Sequence, residues 1–129
     1  MKKLILLSMF LTLSLTSKAE WSAIHLTIIN DNITFYNVDW ATLKVSSKRR
    51  TIWMLFNNKG DSIGEIVSGK ALYEFDCLED KFRYLQATTF SESYGGGRVI
   101  EKLGAGDWQH IAPETAIKVV AEKVCARKK

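Results

Sequence analysis

The chain has 129 residues and a formal net charge of +4, and a chain of that length builds one domain core, not two. Lys2, Lys3 and Lys18 belong to an N-terminal segment with the marks of a removable leader, and without them 15 basic residues face 14 acidic ones, a net charge of +1. That balance, with no groove-reading motif in the chain, excludes nucleic acid as an expected partner.

The first element is an apolar run from Leu4 to Leu15, preceded by Lys2 and Lys3 and followed by Ser17-Lys18-Ala19. This is the pattern of a secretory signal peptide cleaved before Glu20. The run is shorter than the roughly 20 apolar residues a membrane-spanning helix needs, so no stable membrane insertion is expected after cleavage. No cysteine follows it, so attachment to lipid in the manner of a bacterial lipoprotein is not expected either. The plan is a signal peptide over 1–19 and a single exported domain over 20–129, periplasmic or secreted.

Strands dominate the rest of the chain. Trp21 to Ile29 and Ile33 to Val38 are rich in β-branched and aromatic residues, and Asn30-Asp31-Asn32 between them signals a turn, so the pair predicts a hairpin. Thr51 to Phe56 is apolar at every position after the first, as expected of a central strand covered on both faces. The basic cluster Lys48-Arg49-Arg50 ahead of it reads as a solvated strand start. From Asn57 to Gly69 the chain reads as a connection, with a short strand at Ser62 to Val67.

Ala71 to Cys77 alternates, with Tyr73, Phe75 and Cys77 on one face and Leu72, Glu74 and Asp76 on the other. Leu78-Glu79-Asp80 turns the chain into a strand over Lys81 to Phe90. Gly95-Gly96-Gly97 then leads a tight or bulged hairpin into Arg98 to Leu103. The loop Gly104 to Asp107 delivers Trp108, expected to seal one edge of the core, with an exposed ligand-stacking residue as the other reading. A C-terminal helix is expected from Pro113 in its first turn, with Ile117, Val120, Ala121 and Val124 as an apolar stripe and Cys125 bordering it.

Little catalytic chemistry is legible. His25 and His110 are the only histidines and neither has a metal-ligand spacing to a cysteine, and the glycine triplet lacks the Lys-Ser/Thr pair of a phosphate loop. No catalytic, cofactor-binding or metal-binding residue is assigned, and no cofactor is expected. Asp76, Glu79 and Asp80 read as a solvated acidic turn, with cation binding or an acid/base pair as the other meanings. Cys77 and Cys125 are the only cysteines of an exported chain, which favours a disulfide over two buried thiols. Such a bridge would pin the helix across the face that carries Tyr73 and Phe75.

Tyr73-x-Phe75-x-Cys77, Arg83, the turn at Gly95 to Gly97, Trp108 with Ile111 and Pro113, and a terminal helix ending in Cys125 together resemble the surface-adhesin protein E family. The resemblance implies an α+β fold: an antiparallel sheet of about six strands with one C-terminal helix tied to it by a disulfide. It also implies a small exported protein of the Gram-negative envelope that acts by binding and not by catalysis. The expected role is an adhesin-like binding or structural module for a host matrix or envelope protein. The alternative is a periplasmic inhibitor or accessory subunit of an envelope complex. Because the helix takes one sheet face, the expected partner contact is the opposite one, on the hairpin carrying Lys81, Arg83 and Arg98.

Overall fold

The computed structural model of the chain describes residues 19–60 and 64–128; the expected leader up to Lys18 lies outside them. The described residues form strands β1 (Ser22–Ile29), β2 (Asn32–Ser46), β3 (Arg49–Lys59), β4 (Ser68–Asp76), β5 (Lys81–Phe90), β6 (Val99–Leu103) and β7 (Gln109–His110), then helix α1 (Ala116–Cys125). The strands make one antiparallel sheet in the order β1-β2-β3-β4-β5-β6, each paired with its sequence neighbour, and β7 returns to pair with β5 beyond the end of β6. This is the α+β architecture expected, with β3 and β4 at its centre.

Local chemistry explains the hairpins. Asn30 and Asp31 adopt φ of 49° and 65°, the left-handed pair of a two-residue turn whose twist matches that of the flanking strands. β2 continues well past Val38, where the sequence pattern of a strand stops, by way of a bulge between Asp39 and Lys44. Asp39 stabilises the bulge: its carboxylate accepts from the Ala41 N–H, its carbonyl accepts from the Thr42 hydroxyl, and that hydroxyl in turn accepts from the Trp53 N–H. The expected short strand at Ser62 to Val67 is not formed over its described part, Gly64 to Val67. Val67 instead joins the sheet only as an extension of β4, donating to Phe90 and accepting from Asn58.

One sheet face carries the core. Val38, Ile52, Met54 and Phe75 are buried there against Val120, Ala121 and Val124 of α1, with Tyr73 and Phe82 packed at the margin. Burying each of the large side chains stabilises the fold by roughly 1.5–3 kcal/mol. The central position of β3 is plain from its two sides, since Ile52 on the helix side and Leu55 on the other are both fully buried.

Cys77 and Cys125 form a disulfide with their Cα atoms 5.8 Å apart. It ties the end of β4 to the end of α1. The helix begins later than Pro113: Glu114 takes a left-handed φ of 60°, and Thr115 is the cap, its hydroxyl accepting from the Lys118 N–H. A side-chain oxygen at that position satisfies an amide that the helix leaves unpaired, whereas Pro113 has none to offer. Among the described residues no helix is long and apolar enough to cross a membrane.

Candidate functional site

The sheet face opposite α1 carries the polar chemistry. Glu74 and Arg83 are register partners on β4 and β5, and Arg83 Nε lies 2.8 Å from Glu74 Oε1. Arg49, at the start of β3, approaches the same carboxylate oxygen at 3.9 Å. Over these groups lies the half-buried Trp108, with the guanidinium carbons of Arg83 and Arg49 4.6 and 5.1 Å from its ring centre. Such cation–π contacts are worth about 0.5–1 kcal/mol at exposed sites and more when desolvated.

The return of the chain along β5 puts Trp108 there. The Gly106 N–H donates to the Tyr84 carbonyl, β7 pairs with Phe82 and Lys81, and the Ile111 N–H donates to the Asp80 carbonyl. Extending that register sets residue 108 beside Arg83. A side chain at Gly106 would crowd the Tyr84 ring, its Cβ falling 3.0 Å from Cζ, so glycine permits the close approach. Trp108 therefore does not seal the core edge as expected. It lies on the other face, and Ile111, three residues on, is the one buried in the core.

Below this layer, Asp76 is almost fully buried, not solvated. Its Oδ1 accepts from the Glu79 and Leu78 amides at 3.0 and 3.1 Å, and Lys48 Nζ stands 3.6 Å from Oδ2. The Glu79 amide first, then Lys48 and the Leu78 amide, hold the Asp76 carboxyl below the usual carboxylate range against the opposing effect of desolvation. Asp76 thus organises the β4–β5 turn. Asp80 pairs elsewhere, with Lys118 at 3.4 Å. Among the described residues no three His, Cys, Asp or Glu side chains gather as a metal site.

Lys81 precedes Arg83 on the same strand face and forms no ion pair among the described residues. Arg98 lies elsewhere: its carbonyl accepts from the Ser91 N–H, eight residues along from Arg83, or roughly 25 Å at about 3.3 Å per residue. Its guanidinium pairs with Glu65 in the open, both side chains about two-thirds exposed. Of the three residues expected to form one contact, two stand together and the third stands at the far end of the strand.

That far end has a feature that sequence reasoning missed. Asn57 and Ser68, both buried, hold the Ser93–Gly95 turn against the sheet: Asn57 Oδ1 accepts from the Tyr94 N–H, and Ser68 Oγ accepts from the Gly95 N–H while donating to the Glu92 carbonyl. Tyr94 is fixed at φ 55° with its side chain 60% exposed. A non-glycine residue held in this region costs of order 1 kcal/mol or more. The only sequence signal was Tyr94 directly preceding the glycine triplet.

The family model described as surface-adhesin protein E matches residues 21–126. Among solved structures, crystal form II of Haemophilus influenzae protein E is 16% identical, with 84% of this chain and 97% of that chain covered and a TM-score of 0.54. The selenomethionine form of the same Haemophilus influenzae protein is 14% identical, with 82% and 94% covered and a TM-score of 0.56. Protein E from non-typeable Haemophilus influenzae is 15% identical over 85% of this chain and 78% of that chain, with a TM-score of 0.55. At these identities the likeness is one of fold. No curated protein matches the chain.

Proposed function

The chain belongs to the surface-adhesin protein E family, and from that premise we propose that it is an exported, non-catalytic module that binds a protein of the host matrix or of the cell envelope. The contact is the sheet face opposite α1. The observation that carries this reading is Trp108 lying half-buried against Arg49 and Arg83 on a face the helix leaves open. Trp and Arg are the residue types that dominate binding hot spots, and a ring already held by two guanidiniums loses little side-chain freedom on docking.

Lys81 and Arg83 contribute to one end of the contact, and Arg98 with Tyr94 to the other. An ordinary interface of about 800 Å² per partner is about 30 Å across. One footprint therefore accommodates both ends despite their separation of roughly 25 Å along β5.

The test is capture by the oxidised mature protein from host matrix proteins and, separately, from envelope extract. Arg83→Ala and Trp108→Ala should each weaken capture about tenfold or more, and Arg98→Ala by less, with each variant remaining folded. Capture of one envelope protein, insensitive to salt and to all three substitutions, would point instead to an accessory-subunit role through another surface.

A further inference from the structure

Beside the stack of Arg83 on Trp108, the open face dips into a recess of about 230 Å³ lined by Lys48, Arg49, Lys81, Asp76, Glu79 and Trp108. Three cations and two carboxylates in its wall leave one net positive charge. The charges are not equally free. Asp76 is buried, accepts from two backbone amides and has Lys48 Nζ 3.6 Å away, so its charge is answered within the fold.

Arg49 and Lys81 have no such answer. Arg49 reaches only the Glu74 oxygen, at 3.9 Å, that Arg83 already holds at 2.8 Å. Lys81 is half-buried and, although it is the register partner of Asp76, forms no ion pair among the described residues. Glu79 stands exposed at the turn and forms an ion pair with neither of them. A cation partly withdrawn from water without a partner gains from an incoming anion, because the desolvation is already in place before the anion arrives.

We propose that this recess takes one carboxylate side chain, a Glu or Asp of the protein partner, between Arg49 and Lys81 with its carbon stem against the Trp108 indole. The inference rests on the reading of the open face as the partner contact. Charge complementarity selects a single negative charge: one carboxylate balances the wall, whereas a polyanion such as a sulfated glycan would set its further charges against Glu79 and Asp76. Arg98 does not extend the basic patch, since it is paired with Glu65 at the far end of the hairpin. The Arg49 fork matches both oxygens of a carboxylate, and the indole covers the adjoining carbons, which a bare inorganic anion does not have.

The test is an NMR titration of the oxidised mature protein with acetyl-Gly-Glu-Gly-amide, with its Gln counterpart and with a heparin-derived hexasaccharide. The Glu peptide should give saturable shifts at the Trp108 indole N–H and the Lys81 amide that weaken as salt rises, and the hexasaccharide should bind no more tightly. Arg49→Gln with Lys81→Gln should weaken the Glu peptide about tenfold. Glu79→Gln keeps the backbone amide that Asp76 accepts from and removes the opposing charge, so it should strengthen the Glu peptide about twofold to fourfold. If the double variant fails to fold, the Glu79→Gln titration decides. In partner capture, loss in Trp108→Ala but not in the double variant would keep the contact and overturn its acidic anchor, whereas capture unchanged in Trp108→Ala would overturn the contact itself. Equal shifts from the Glu and Gln peptides, tighter binding of the hexasaccharide, a Glu79→Gln variant that binds no better, or no saturable binding would each overturn the proposal.

Discussion

The guanidinium of Arg83 lies 4.6 Å from the centre of the Trp108 ring, although 24 residues separate them in the chain. Arg83 also holds Glu74, so one planar group serves a stack and an ion pair at once. Lysine offers neither the flat face nor the fork. Arg83→Lys should therefore behave like Arg83→Ala in partner capture and cost roughly 1 kcal/mol or less in stability, because Arg49 remains beside Glu74. Capture at the wild-type level by the lysine variant would show that only charge matters there.

The Cys77–Cys125 bridge closes a separation of 48 residues, for which the chain-entropy argument gives a stabilisation of about 4 kcal/mol. Cys77→Ala with Cys125→Ala should lower the melting temperature by roughly 15–30 °C, given about 4–8 °C per kcal/mol for a small domain. Differential scanning calorimetry measures it directly. A shift of only a few degrees would mean that the packing of Val120 and Val124 suffices to hold the helix.

Asp76 should make stability fall in acid. Its carboxyl titrates below the usual range when folded, mainly because the Glu79 amide donates to it, so the folded state favours the ionised form. The stabilisation is complete above the unfolded-state value of about 3.9 and is lost as pH falls through the lower folded value. Urea midpoints between pH 6 and pH 2 should decline in the wild type, and less steeply in Asp76→Asn. Parallel declines would assign the acid sensitivity to other carboxylates.

Ser68 is fully buried and makes two hydrogen bonds to the Ser93–Gly95 turn. Ser68→Ala leaves the Gly95 amide and the Glu92 carbonyl without that partner, at a cost of roughly 1–3 kcal/mol. Hydrogen exchange at Gly95 should accelerate by a similar free energy while exchange in β3 follows global stability. Unchanged exchange at Gly95 would mean that the turn is held by its own backbone bonds.

Export is expected to remove the leader, given Lys2 and Lys3, the short apolar run and Ser17-x-Ala19. Intact mass of the exported protein should place its N-terminus at Glu20 or an adjacent residue. Met1 retained on exported protein would contradict the cleavage.

Much of the architecture is legible in single elements. The alternation in β4 separated Tyr73 and Phe75 from Leu72, Glu74 and Asp76, and the structure puts the first pair against the helix and Glu74 on the far face. The continuous apolar run in β3 announced a strand buried on both sides. Both signals are local: side chains alternate every two residues along a strand, so the pattern is readable without knowing the neighbours. The spacing of Ile117, Val120, Ala121 and Val124 is readable for the same reason, at the helical period.

Amino-acid sequence by itself thus determined the strand content, the apolar helix stripe and the pairing of the only two cysteines. Tertiary structure decided the site. Arg98 shares a hairpin with Lys81 and Arg83, but strand rise sets it at the opposite end from those two. Trp108 faces away from the core because β7 joins β5 in a register that no local pattern records. Asp76 is buried because the Leu78 and Glu79 amides fold back onto it. Each of these is a relation between segments distant in sequence or turned back on themselves, fixed by register and packing, whereas periodicity reports only which way a side chain points within its own element.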